Sequence, residues 1–138
     1  METFVRRFII MSIVYLGISS LVGIAMLGSE KAMALKFVHS HLNMLGWVSM
    51  MIFGVGYHIL PKFMGRAMHS KTLGEIQFWM ANIGLVAMLL FYTVNVYSPS
   101  GVFVLATVAA GVLETVSISL FFYNMLMTMM PPQQVPGS

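Results

Sequence analysis

The sequence predicts an all-α integral membrane four-helix bundle with both termini cytoplasmic. Three observations predict it. Of its 138 residues, 59% are hydrophobic and only 8% charged, whereas a soluble domain carries about a quarter charged residues. Mean hydropathy is +0.89. The length accommodates four spans of about 20 residues with short connectors and leaves no room for an extramembrane domain. The net charge of +3 comes from Lys and Arg at the ends of apolar stretches. That pattern points to membrane topology, not to nucleic acid. With 0 cysteines, disulfides, zinc–thiolate sites, iron–sulfur ligation and cysteine-linked heme are excluded.

Each element follows in order. The first span covers about residues 8–29, is free of charge and is preceded by Arg6 and Arg7. It is too long for a signal-peptide core, and no small-residue cleavage site follows it. A connector with Glu30, Lys31 and Lys36 leads to the second span, about residues 37–60. This span is expected to stop at Pro61, which has no N–H and clashes with the preceding turn. A loop bearing Lys62, Arg66, His69 and Lys71 precedes the third span, about residues 76–97. Ser98 to Gly101 form a tight polar turn, and the fourth span covers about residues 102–127. Residues 1–130 therefore read as a single four-span transmembrane domain, and 131–138 as an uncharged, unstructured tail. No internal repeat interrupts this pattern.

Orientation follows from the basic residues in short loops. Arg6, Arg7, Lys62, Arg66 and Lys71 fall on one side, and Lys31 and Lys36 on the other. The first group should be cytoplasmic, so the second span runs from outside to inside.

An ionisable side chain in lipid is costly and becomes a functional candidate. Three of the four His lie on the second span: His39 and His41 at its outer end, and His58 beside Tyr57 at its inner end. In a helix, His39 and His41 differ by about 200° and cannot share one small ion. One must face inward and the other lipid headgroups or a neighbour. The His39 face carries Asn43, Gly46, Met50 and Tyr57; the His41 face carries Leu45, Val48, Ile52, Val55 and Ile59. The bland alternative is a pair of interfacial His wetted by headgroups. His58 lies about 25 Å from His41 along the axis, so the two would serve separate sites. Its bland alternative is a Tyr57–His58 pair reaching for the inner interface. Glu114 sits near the middle of the fourth span, as a proton-handling group or a polar partner for a cofactor. Alternatively it is a protonated acid bonded to a neighbouring helix, through Asn82 or Ser49. Gly46 and Gly54 share one face of the second span, where small residues serve helix packing or leave room for a flat ligand. The 15 methionines read mainly as soft apolar filling.

A helix with His near one membrane face, spaced glycines and aromatics makes a wall for heme, which needs one or two axial imidazoles and an apolar slot. Copper at the His-x-His pair is the weaker alternative, because of the helical angle. The chain has no Asp, which argues against Ser/His/Asp hydrolysis.

The stretch from Phe37 through His39, His41, Asn43, Gly46 and His58 to Pro61 resembles the second transmembrane helix of subunit I of the heme–copper oxidases, in the C-type oxidase and nitric oxide reductase branch. It is also similar to short stand-alone members of that superfamily and to NnrS-type membrane heme proteins. The resemblance implies that a His at the outer end of this helix, His41 or else His39, is an axial ligand of non-covalent heme b. His58 would be the candidate for a second heme iron. Those oxidases have many more spans than four, and the helices that bring their other ligands are absent here. The expectation is therefore a heme-binding piece of that fold, in the inner (cytoplasmic) membrane of a bacterium or archaeon. It would form a homodimer that supplies identical ligands from both copies. It would act in electron transfer or in sensing of a diatomic gas, with a redox partner or gaseous ligand. Rival expectations are a small proton-coupled transporter using Glu114, and a cofactor-free accessory subunit of a respiratory complex.

Overall fold

The computed structural model describes residues 1–130 and is all-helical over them. The expected tail at 131–138 lies outside the described residues. Four helices are long and apolar enough to cross a membrane. We label them α1 (Thr3–Gly28), α2 (Glu30–Phe63), α3 (Lys71–Tyr97) and α4 (Gly101–Met129). They form two antiparallel hairpins, α1 with α2 and α3 with α4, and contacts within each hairpin outweigh those between them. Arg6, Arg7, Lys62, Arg66 and Lys71 gather at one end of the bundle, called the basic end below.

Each helix end has a local cause. Ser70 caps α3, its hydroxyl accepting from the Leu73 N–H at 3.2 Å. Ser100 caps α4 by accepting from Val102 N–H, and its own N–H donates to Asn95 Oδ1 at 3.0 Å. The end of α2 departs from expectation. The helix continues through Pro61 to Phe63 and stops at Gly65, whose φ is +61°. The Arg66 N–H bonds the Pro61 carbonyl at 3.0 Å, and the Gly65 N–H bonds that of Lys62 at 3.1 Å. Those paired bonds are the Schellman closure, which glycine favours because it accepts a left-handed backbone. Proline in the last turn removes one bond only, so the glycine, not the proline, ends the helix.

Lipid offers little hydrophobic force between helices, so close approach and shape carry the packing. Gly46 and Gly54 both face α1. A Cβ at Gly46 would lie 2.8 Å from the Tyr15 Cβ, and one at Gly54 2.8 Å from Ile9. In the second hairpin, a Cβ at Gly84 would lie 3.0 Å from the Glu114 backbone nitrogen. The hairpins meet through aromatic rings at the basic end. Phe8 of α1 lies 5.7 Å from Phe53 of α2 and 5.1 Å from Phe78 of α3. Tyr57 of α2 lies 5.2 Å from Phe4 and 5.1 Å from Phe121 of α4, both edge to face. At the same end Arg7 pairs with Glu75 at 2.6 Å, and Lys71 with Glu2 at 2.8 Å.

Substituting Gly46→Ala should destabilise the bundle by about 1–3 kcal/mol, because its Cβ meets the base of a packed side chain rather than a flexible tip. Gly17→Ala, where nothing lies within 4 Å, should leave stability unchanged or raise it by up to about 1 kcal/mol through helix propensity. Thermal unfolding midpoints in detergent compare the two.

Candidate functional site

The half of α2 away from the basic end is built from three kinds of helix. A 3-10 turn at Glu30–Leu35 leads into an α-helical turn at Lys36–His41. A π-helical stretch at Leu42–Ser49 follows, and α-helix resumes at Met50. Wide π turns are rare and are often found at functional sites. Here the wide turn starts immediately after the His pair, so the faces below it are rotated relative to a uniform α-helix.

His39 and His41 stand on the α-helical turn and diverge. His39 faces into the first hairpin. Its Nδ1 lies 3.0 Å from the Ser19 carbonyl and 3.2 Å from the Ser19 hydroxyl. Its Nε2 lies 3.2 Å from Asn43 Nδ2. A carbonyl can only accept, so Nδ1 carries the proton and Nε2 accepts from the Asn43 amide. Both ring nitrogens of His39 are thereby engaged. Gly23 of α1 makes room for this ring; a Cβ there would lie 3.0 Å from His39 Cε1.

His41 turns to the other side. Its Nδ1 lies 2.9 Å from the Phe37 carbonyl one turn earlier. The proton is again on Nδ1, which leaves a lone pair on Nε2. Among the described residues no hydrogen bond reaches that nitrogen. The ring packs 3.8 Å from Phe37, which stacks at 4.1 Å on Tyr92 of α3. Ile52 and Val55, further along the His41 face, are exposed, while Gly46, Met50 and Tyr57 of the His39 face are buried. The geometry engages both ring nitrogens of His39 and leaves His41 with an uncommitted lone pair on Nε2.

The other candidates stand apart from this pair. His58 lies at the basic end, its Nε2 2.9 Å from Lys62 Nζ. Tyr57 is not an interfacial companion of His58. It is 2% exposed and locked among Phe4, Phe8 and Phe121, because adjacent residues on a helix point about 100° apart. Glu114 is also 2% exposed, and neither carboxyl oxygen has a hydrogen-bond partner. The partners expected for it are engaged elsewhere. Asn82 accepts from the Tyr15 hydroxyl at 2.7 Å and donates to the Phe78 carbonyl, while Ser49 donates to the Met44 carbonyl at 2.8 Å. The glycines likewise hold side chains of neighbouring helices, so they do not outline a slot for a flat ligand in this chain.

Sequence reasoning missed Gln77. It is fully buried with both amide atoms unpartnered, one face of α3 away from solvent, and its backbone carbonyl accepts from Ser117. Asn124 was missed too: it bonds both the N–H and the carbonyl of Ser70, at 3.0 and 2.8 Å, and so ties α4 to the start of α3. No group of three or more His, Cys, Asp or Glu capable of holding a metal occurs among the described residues. A hollow of about 720 Å³ between α1 and α3 is lined without a histidine among the described residues. A smaller one, about 330 Å³ at the basic end, includes His58.

Comparison with known proteins adds a family. Residues 8–97 match the family described as cytochrome c and quinol oxidase polypeptide I. That stretch covers most of α1, all of α2 and the whole of α3. The chain is 36% identical over 98 residues to the Cbb3-type cytochrome c oxidase subunit CcoN1 of Stutzerimonas stutzeri, covering 66% of this chain and 20% of that one. It is 41% identical over 49 residues to a cytochrome c oxidase subunit 1 homolog of Agrobacterium tumefaciens and to cytochrome c oxidase subunit 1 of Rhodobacter capsulatus, covering 35% of this chain and 9% of each relative. The chain thus spans about a fifth or less of the length of these relatives.

An unpartnered buried carboxyl group is destabilising by on the order of 1–3 kcal/mol. Glu114→Met, of similar length and flexible, should therefore raise the unfolding midpoint in detergent. A lowered midpoint would mean that the carboxyl group has a partner outside the chain, such as an internal water or another subunit.

Proposed function

The chain belongs to the cytochrome c and quinol oxidase polypeptide I family, and from that premise we propose that it is a heme b-binding membrane protein acting in electron transfer or in sensing of a diatomic gas. The observation that carries this reading is the state of His41. The Phe37 carbonyl holds its proton on Nδ1, which leaves the Nε2 lone pair that an axial imidazole requires. His41 fits the role of one axial ligand better than His39, whose Nε2 is taken by Asn43. Heme, when bound, supplies a one-electron couple and, where an axial position stays open, a site for NO or O2.

The surrounding residues would position and shield that ligand. Phe37 and Tyr92 give the His41 ring a stacked aromatic backing on α3. Asn43 and Ser19 hold His39, and so fix the turn from which His41 projects. A second copy of the chain would supply the opposing ligand in a homodimer, since identical flanks can face each other across a two-fold axis. His58 is the candidate for a second heme iron, once Lys62 leaves its Nε2. Copper at His39 and His41 is the weaker alternative, because the two rings diverge. We place the protein in the inner membrane of a bacterium or archaeon, with both termini on the cytoplasmic side.

A second reading is favoured by Glu114. A buried carboxyl group with two unpartnered oxygens also suits a proton-coupled transporter. That reading requires the purified protein to be colourless.

Absorption spectra of the purified full chain, oxidised and reduced, test the heme reading. A Soret band is expected, abolished by His41→Ala and kept by His39→Ala. An unchanged band in His41→Ala would falsify the assignment, and its absence from the unaltered protein would sink the heme reading altogether. Topology is testable because the chain has 0 cysteines. In intact cells a membrane-impermeant maleimide should label Ser29→Cys and spare Ala67→Cys.

A further inference from the structure

The smaller hollow, about 330 Å³, lies between the first turn of α1, the last turns of α2 and the connector to α3. Its charge is uneven. Lys62, Arg66 and Lys71 line it, with Glu2 as its one acid. Glu2 is bound to Lys71 at 2.8 Å, so the charges of Lys62 and Arg66 are left over. Lys62 reaches only the His58 ring nitrogen, and Arg66 the backbone carbonyls of Met129, at 3.4 Å, and Met130. Neither has a carboxylate partner among the described residues.

A second observation is independent of charge. Tyr57 also lines the hollow, and its hydroxyl is buried with no hydrogen-bond partner. Asn124 stands beside that hydroxyl, but its amide is held on the N–H and carbonyl of Ser70. A buried donor left unpaired in this way marks a place where a missing acceptor belongs.

We infer that this hollow binds the phosphodiester headgroup of an anionic phospholipid. The two uncompensated cations and the Tyr57 hydroxyl are donors, and phosphate oxygens are the strong acceptor that suits them. The depth is also that of a headgroup. The hollow starts at Tyr57 inside the span and ends in the connector, where the spans leave the membrane. Free phosphate offers the same acceptors but has no use for the apolar surroundings. Val5 and Pro61 line the hollow, and Phe63 beside it is 77% exposed. Acyl chains would cover these surfaces. Basic pockets at helix ends recognise anionic headgroups on this principle.

The test uses the full chain, purified in mixed micelles of phosphatidylglycerol and phosphatidylcholine in equal amounts, with retained phospholipid quantified by mass spectrometry. Phosphatidylglycerol should be enriched. The double variant Lys62→Gln/Arg66→Gln should lower that enrichment roughly 30-fold, from about 5-fold per basic side chain near a headgroup surface. Tyr57→Phe, which keeps the ring packing, should lower it several-fold without changing the fold by circular dichroism. The control Lys31→Gln/Lys36→Gln, at the opposite end, should leave it unchanged. Equal retention of the two lipids overturns the inference, as does an equal loss in the control. Complete displacement of the lipid by inorganic phosphate would also overturn it, by assigning the hollow to a free anion. Should the double variant fail to fold, Lys62→Gln and Tyr57→Phe alone still decide the matter.

Discussion

The bundle depends on the aromatic cluster centred on Phe8. Each hairpin holds itself together through glycine-mediated approach, but the two hairpins touch sparingly. Phe4 and Phe8 from α1, Phe53 and Tyr57 from α2, Phe78 from α3 and Phe121 from α4 join them at one end. In lipid, packed rings are among the few contacts that outcompete acyl chains, because edge-to-face geometry adds about 0.5–1.5 kcal/mol per pair beyond area. The cluster explains why Tyr57 faces inward despite its hydroxyl. Away from the cluster the hairpins are joined by the Tyr15–Asn82 hydrogen bond and the Phe37–Tyr92 stack, and the large hollow lies between α1 and α3.

The sequence revealed much of this architecture, for a physical reason. Spans must be apolar and charges must sit at their ends, so span number and order could be read from composition and from Arg6, Arg7, Lys62, Arg66 and Lys71. The polar exceptions His39, His41, His58 and Glu114 stood out against that background. What stayed hidden depends on partners far away in sequence. Nothing local shows that Leu42 to Ser49 widen into π turns. Nothing local shows that Ser19 receives His39, or that Asn82 is taken by Tyr15 and so unavailable to Glu114. Gly65 was legible in principle, since a glycine shortly after a helix is a stop signal, but Pro61, itself a helix breaker, precedes it by four residues.

The family match covers most of α1 and all of α2 and α3, and ends with α3. Glu114 and Asn124 lie beyond it, on α4. Their placement therefore rests on the geometry of this bundle alone, whereas the histidines lie within the matched stretch. This division matters for the ligand question. His39 is bound into the first hairpin by both ring nitrogens, whereas no hydrogen bond reaches the second ring nitrogen of His41 among the described residues.

The π-helical stretch has a further consequence. A π turn holds one more residue than the α turn it replaces, so Leu42–Ser49 act as an insertion absorbed inside an unbroken helix. Its length sets the angular phase between the histidines above and the glycines and aromatics below. At this phase Gly46 and Gly54 face α1 while His41 packs on Phe37. Loss of one residue there would leave every side chain intact and still separate the two faces from their partners. The segment is a phase adjuster, whose contribution lies in residue count more than in residue identity.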